Sequence, residues 1–421
     1  MKVKFISPSM VREEGEMFVH ELWYPLLTFP ILAVHTPDDV EVEIIDEAIE
    51  AIDFDDPVDL VGITSMTHSA PRAYQVADEY RKRGIKTVMG GFHASALPEE
   101  ALEHVDTVVI GEGEETWPVV VEDFKKRQLK TRYTSPGLFD MTKYKIPRVE
   151  LLTKYLSPVD QYKPPYYPSL NVIEVSRGCP NRCSFCAVTN FHGARHRFRR
   201  VEDVLNEIRH RKLQNRMRFF PFCDDNLYGS KTYFIELLKG LKKLNINWFS
   251  QISINVARSP DLLRMMEDSG CQTVCFGIES INQQSIDSVN KFTNKVEQYD
   301  ELFERVKKYK INIAFTMILG LDYDDETIFE KTYNWLEKHL DSIILVNPHI
   351  LTPYPGTPLY RQLIEENRII DRNWSHYDHR QVVYQPRLMS PETLLNGYRW
   401  LMGKVKAVNY SNWQKRYQRQ G

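Results

Sequence analysis

The run Arg177-Gly178-Cys179-Pro180-Asn181-Arg182-Cys183-Ser184-Phe185-Cys186 puts three thiols on one short loop, directly after the apolar stretch Leu170 to Val175. Gly178 and Pro180 suit a tight turn there. Such a run constrains the fold strongly, because soft thiolates bind an iron-sulfur cluster or zinc only where the chain makes them converge. A closed zinc site would need a fourth Cys or His, and His192 is the nearby candidate. Core packing is the remaining alternative, since an unligated cysteine behaves as a small apolar residue. Three thiolates around a four-iron cube leave one iron open, and an open coordination position belongs to a metal that performs chemistry.

The 421 residues exceed one typical domain, and a composition of 42% apolar and 26% charged residues is that of an ordinary globular chain. From Met1 to about Phe124 apolar strands alternate with helical stretches, the pattern of a doubly wound parallel sheet. Strands are predicted over Lys2 to Ile6, Val40 to Ile45, Leu60 to Ser65, Thr87 to Gly90 and Thr107 to Ile110, with helices over Ala70 to Arg83 and Pro98 to His104. A connector rich in Pro and Tyr ends in Lys163-Pro164-Pro165-Tyr166-Tyr167-Pro168. The alternation then resumes, with strands predicted over Asn171 to Val175, Met217 to Phe222, Asn247 to Ile254, Thr273 to Gly277, Ile313 to Leu319 and Ser342 to Leu351. Six such repeats suggest a partial parallel barrel whose working loops follow the strand C-termini. The expected fold class is therefore α/β, with residues 1–130 as a Rossmann-like sheet domain, 131–168 as linker, 169–360 as a partial (β/α)6 barrel and 361–421 as a small helical extension.

The motif resembles the CxxxCxxC signature of the radical S-adenosylmethionine superfamily, including the aromatic Phe185 just before the last cysteine. The loops Thr64-Ser65-Met66-Thr67-His68, Gly90-Gly91-Phe92-His93 and Gly111-Glu112-Gly113-Glu114 follow three successive strands. Small residues there let a backbone approach a large flat ligand or a phosphate closely. In that order they resemble the cobalamin-binding domain that precedes the catalytic domain in one class of the superfamily. The resemblance implies that Ser65, Thr67, His68, Gly90, Gly91, His93, Gly111 and Glu112 contact cobalamin. The DxHxxG motif that gives some cobalamin proteins a cobalt ligand is absent, as it often is in relatives of this class.

The same resemblance implies that Cys179, Cys183 and Cys186 hold a [4Fe-4S] cluster whose open iron is chelated by S-adenosylmethionine. Asp224 and Asp225 occupy the place of the family's amino-binding motif, where a carboxylate would accept from the ligand's ammonium. Ser253, Asn255 and Glu279 offer polar groups suited to a ribose. Gly320, in Met317-Ile318-Leu319-Gly320-Leu321, resembles the strand end that flanks adenine. Each has a plainer alternative: Asp224 as a helix cap, Glu279 in an internal ion pair, Gly320 in a turn. Cys223, Cys271 and Cys275 read as buried apolar residues.

The implied activity is one-electron cleavage of S-adenosylmethionine to a 5'-deoxyadenosyl radical, followed by methyl transfer from cobalamin to an unactivated carbon. A cobalamin-dependent cyclisation or rearrangement is the alternative within the class, and a noncatalytic iron-sulfur sensing module the alternative outside it. An electron donor such as flavodoxin or ferredoxin is implied as partner.

A net charge of -3 and a pI near 6.5 argue against nucleic acid as a partner. The basic run His192 to Arg200 reads as a solvated loop, or as the source of one arginine for a ligand carboxylate. Six cysteines, half of them in the motif, form no disulfide framework and fit a reducing cytoplasm. The longest apolar stretch, Leu22 to Val34, is too short for a membrane span and carries Pro25 and Pro30. From Asp371 onward Trp374, Tyr377, Tyr384, Tyr398, Trp400, Tyr410, Trp413 and Tyr417 could close over an apolar small-molecule substrate such as a terpenoid, lipid or tetrapyrrole, or pack a terminal helix bundle.

Overall fold

Residues 1–10, 24–157, 166–214, 218–339 and 343–417 are described by a computed structural model of the chain. Side chains beyond residue 406, with those of Tyr410, Trp413 and Tyr417, lie outside the described residues, as do Lys163, Pro164 and Pro165 of the connector. The chain divides into two compact units. One comprises Met1–Val172 with Asn190–Gly193 and Asn373–Tyr377, and the other Ile173–Thr189, Ala194–Arg372 and Asp378–Gly421.

The first unit is built on six parallel strands: β1 (Lys2–Ser7), β2 (Glu41–Asp46), β3 (Leu60–Thr64), β4 (Lys86–Gly90), β5 (Thr107–Ile110) and β6 (Arg132–Thr134), in the order β2-β1-β3-β4-β5-β6. Its strands are apolar on both faces because both are covered. Phe5 stacks on Phe29 at 4.6 Å and tilts against Trp117 at 4.9 Å on one side. Ile63, Val76, Tyr80 and Met89 fill the other side. The strand order changes direction between β1 and β3, the point where ligands of such sheets sit, beyond the strand carboxyl ends. β6 was not anticipated, since its three residues lie in the expected linker and bury only Tyr133. Within the apolar stretch Leu22 to Val34, Thr28–Val34 is helical and buries Phe29, Pro30, Ile31 and Ala33; Leu22 and Trp23 fall outside the described residues.

The second unit begins with the antiparallel pair β7 (Ser176–Arg177) and β8 (Arg197–Phe198), which clamps the base of the cysteine loop. Its main sheet is parallel: β9 (Phe219–Phe222), β10 (Asn247–Gln251), β11 (Cys271–Glu279), β12 (Asn312–Leu319) and β13 (Ile343–Ile350), ordered β13-β12-β11-β10-β9. The segment around Ile173 takes the sixth position beside β9 as a single parallel bridge to Phe222. Ile173 N donates to Pro221 O at 3.0 Å, and Cys223 N to Ile173 O at 3.0 Å. Along β11, Val274, Phe276 and Ile278 are fully buried in the core shared with the covering helices, with Phe276 stacked near Phe303. The alternate residues Thr273, Cys275 and Gly277 are less buried and belong to the opposite, inner face.

The terminal helix Pro391–Tyr417 packs Leu394, Tyr398 and Leu401 into that core. Tyr377 and Tyr384 are wholly buried, whereas Trp400 is exposed. The Tyr384 hydroxyl donates to Gly320 O, so this residue is part of the core packing. Among the described residues no helix is long and apolar enough to cross a membrane.

Candidate active site

The loop that carries the three cysteines is fixed from both sides. Gly178 and Arg182 adopt left-handed φ values of 83° and 51°, which turn the chain sharply around Cys179. Ser184 N donates to Val289 O at 3.0 Å, Leu359 N donates to Ser184 O at 3.0 Å, and Cys186 N closes on Cys183 O at 3.1 Å. Burial raises all three thiols, to about 11 for Cys183 and about 12 for Cys186, and the neighbouring sulfurs add to the effect at both. The loop supplies three soft donors of the kind a cluster requires, and among the described residues no three such side chains are already drawn together around one point. A bound iron would replace the proton at each sulfur.

The Asp pair after β9 divides its work. Asp224 is 3% exposed and its oxygens are taken by the chain itself: it accepts from Val175 N at 3.1 Å, Ser176 N at 2.5 Å and Ser176 Oγ at 2.6 Å. Burial pushes its carboxyl up to about 7. It therefore anchors the entry to the cysteine loop, a role different from the ligand contact expected of it. The negative charge of Asp225 adds to the raised values of the Cys179 and Cys186 thiols. Asn226, not singled out from the sequence, accepts from Ser253 N at 2.9 Å and bonds to the Cys179 thiol.

Glu279 ends β11 at a register shift with a left-handed φ of 63°, a strained position for a residue with a side chain. It forms a buried ion pair with Lys291. Burial opposes the charge of Lys291, but Glu279 and the thiols of Cys183 and Cys186 outweigh it and hold the ammonium above the usual lysine range. Sequence reasoning missed Lys291, which follows the short helix Gln283–Ser288 and carries no motif of its own. Ser253 caps the 3-10 turn Ile254–Arg258, its Oγ accepting from Asn255 N at 3.4 Å. Asn255 Oδ1 is buried without a hydrogen-bond partner, the condition of an acceptor that awaits a ligand hydroxyl or ammonium. Gly320, with φ 89°, has its close neighbours in Tyr384 and Leu394, and its N–H donates to Asp324 Oδ2 at 3.1 Å.

At the strand ends of the first unit, Gly91 has φ 98° and an added Cβ would lie 2.8 Å from Thr64 Oγ1 and 2.9 Å from Ser65 O. Ser65 N donates to Gly90 O at 3.2 Å, and its carbonyl accepts from His93 N at 3.3 Å, so the β3 and β4 loops brace each other. Thr67 and His68 form the 3-10 turn that follows, with Thr67 buried. Gly111, φ 86°, donates its N–H to Ser95 Oγ at 3.0 Å. The imidazole of His93 is turned toward the helices, with Nε2 3.0 Å from Tyr74 Oη and 3.2 Å from Glu100 Oε1. Glu112 accepts from Phe139 N at 2.6 Å and meets His192 Nδ1 at 2.7 Å. His192 is thus held through Nδ1 by Glu112 of the first unit. At these strand ends the glycines allow close packing of the loops themselves: a Cβ at Gly91 would meet Thr64 and Ser65, and one at Gly111 would lie 3.1 Å from Ser135 Cβ.

Residues 173–336 match the Radical SAM superfamily and residues 31–121 the B12 binding domain. The chain is 32% identical to bacteriochlorophyllide d C-12(1)-methyltransferase of Chlorobaculum tepidum, over 82% of its own length and 74% of that protein. It is equally 32% identical to bacteriochlorophyllide d C-8(2)-methyltransferase of the same organism, over 90% and 84%. The chain belongs to the radical SAM superfamily, in its cobalamin-binding class. Anaerobic magnesium-protoporphyrin IX monomethyl ester cyclase of Cereibacter sphaeroides is 26% identical over 80% of the chain and 58% of that protein. The radical S-adenosylmethionine methyltransferase TsrM of Kitasatospora setae, solved with cobalamin and a [4Fe-4S] cluster, shares the fold at a TM-score of 0.66 with 16% identity, covering 87% of this chain and 78% of that one. As a radical SAM enzyme the protein uses a [4Fe-4S] cluster, S-adenosylmethionine and cobalamin, and acts on a small molecule. The three thiols of the cysteine loop match the cluster in donor type.

Proposed function

We propose that this enzyme transfers a methyl group to an unactivated carbon of a flat, largely apolar tetrapyrrole. The observation that carries the reading is the loop bearing Cys179, Cys183 and Cys186 at the carboxyl ends of the barrel strands, with the buried Glu279–Lys291 pair acting electrostatically on Cys183. When bound, the cluster supplies the electron that cleaves S-adenosylmethionine, and cobalamin supplies the methyl group.

The chain's own residues bind and orient. Cys179, Cys183 and Cys186 would hold the cluster through their sulfurs. Asp225 and Asn255 Oδ1 accept hydrogen bonds from the ammonium and hydroxyl groups of the nucleoside, and Lys291 balances the negative charge that thiolates bring to a buried loop. Gly90, Gly91 and Gly111 present no side chain at the strand ends where cobalamin would lie. Two relatives named for bacteriochlorophyllide and one named for magnesium-protoporphyrin support the substrate class. So does the inner face of the barrel, where Phe219, Phe249, Ile318 and Leu345 supply apolar surface. An external one-electron donor such as flavodoxin or ferredoxin, and a reducing cytoplasm in which the six free cysteines persist, complete the reading.

The test is anaerobic reaction of reduced, cluster-loaded protein with cobalamin, S-adenosylmethionine and candidate chlorins or porphyrins. Expected are 5'-deoxyadenosine and a product heavier by one methylene. Deoxyadenosine with a product of unchanged carbon count would replace methyl transfer by cyclisation or rearrangement. An intact cluster that yields no deoxyadenosine would leave a sensing module.

A further inference from the structure

Along β13 the residues Val346, Pro348 and Ile350 are buried, while Leu345, Asn347 and His349 alternate with them on the inner face of the barrel. His349 pairs in register with Ile318 and Asn347 with Thr316, so the upper part of this wall is apolar around one imidazole, with two amide and hydroxyl groups a step below. Among the described residues the His349 ring makes no hydrogen bond; its recorded neighbour is the ring of His379, 4.8 Å away. A half-buried imidazole left without a partner costs free energy that a bound ligand would recover.

The ring behind it is held firmly. His379 Nε2 lies 2.8 Å from Tyr354 Oη, and its carbonyl accepts from Ile350 N at 2.8 Å, the residue next to His349. His379 pays for this place with a left-handed φ of 68°. Burial holds His349 down to about 4, so at neutral pH its ring is uncharged and offers a lone pair. A flat apolar macrocycle has little at its centre that an imidazole could meet except a metal with a vacant axial position. Carboxylates and carbonyls at its rim would instead find Thr316 and Asn347.

Resting on the tetrapyrrole reading above, we propose that His349 is the axial nitrogen ligand to the central metal of the bound substrate, and that the enzyme selects metallated over metal-free macrocycles. His379 and Tyr354 are positioning residues that hold the ring.

The test titrates full-length, cluster-loaded protein with zinc protoporphyrin IX and with metal-free protoporphyrin IX, following the visible spectrum. The zinc probe should bind tighter by about tenfold or more, which corresponds to one nitrogen ligand worth about 1.4 kcal/mol, and show the red shift of axial nitrogen coordination. His349→Ala should lose both the preference and the shift, and added imidazole should restore the shift. His349→Phe, which fills the same space, should behave like the alanine variant without rescue. Equal affinity for the two probes, an unchanged zinc spectrum in His349→Ala, or no binding of either probe would each overturn the assignment. Formation of 5'-deoxyadenosine and a methylated product by the same preparation reports separately on the methyltransferase reading.

Discussion

Lys291 is paired with Glu279 beside the thiols of Cys183 and Cys186, one buried cation facing one buried carboxylate and two potential thiolates. Removing only the cation strands the carboxylate. Lys291→Met should therefore destabilise the second unit by roughly 3–5 kcal/mol, the usual cost of breaking a buried pair from one side. It should also reduce the iron retained after anaerobic reconstitution. The double variant Glu279→Gln/Lys291→Met should recover much of the stability and little of the iron. If the single and double variants unfold at the same denaturant concentration, the pair contributes through packing alone.

Asp224 and Asp225 are adjacent in sequence, and Asp224 alone is committed to the backbone of the cysteine loop's entry by the bonds described. Asp224→Ala removes the acceptor for two backbone N–H groups and a hydroxyl at the entry to the cysteine loop, at about 1–3 kcal/mol for each buried group left unsatisfied. Lower melting temperature and lower cluster content should appear together. Asp225→Ala should leave the melting temperature near wild type while weakening S-adenosylmethionine binding, measured by its perturbation of the cluster's electron paramagnetic resonance signal. The reverse pattern would exchange the two roles.

The strands of both units were legible because fully covered parallel strands read as short apolar runs, and Lys2–Ser7 or Asn312–Leu319 are of that kind. The cysteine loop was legible from its spacing. What escaped was everything fixed by the third dimension. Asp224 and Asp225 are chemically identical, and only the fold decides that Asp224 is buried against Val175 and Ser176. Lys291 has no local signature, because its meaning comes from β11 and the cysteine loop meeting it in space. His93 and Glu112 sit in the expected loops, yet Tyr74 and Glu100 engage Nε2 of His93, and Phe139 and His192 engage the Glu112 carboxylate. Loop position could be read from the order of the elements, but side-chain direction could not.

Gly91 has φ 98° and ψ -173°, a region open to glycine and closed to residues with a Cβ. Gly91→Ala should cost about 1–3 kcal/mol in backbone strain alone. The new methyl would also press on the Ser65 backbone, so the β3 and β4 loops must part. Cobalamin binding, followed by absorbance, should weaken in this variant, whereas cluster loading of the second unit should not change. Loss of both would mean that the first unit no longer folds.

Asp324 lies buried behind Gly320, accepting from Gly320 N and Leu321 N at 3.1 Å each and from Ser285 Oγ at 2.5 Å. Burial outweighs these donors and pushes its carboxyl from 3.8 up to about 6. A folded-state value above the unfolded one means that the protonated acid favours the fold. The stabilisation is complete below pH 4 and is lost as pH rises through 6. Asp324→Asn, a neutral side chain of the same shape, removes this dependence. The stability of wild type relative to the variant should fall between pH 4 and 7 by at most roughly 3 kcal/mol, the free energy of a shift of this size. Denaturant midpoints at half-unit pH steps would trace it. Parallel curves for the two proteins would mean that the N–H groups of Gly320 and Leu321 keep the carboxylate ionised, and that burial has been compensated locally.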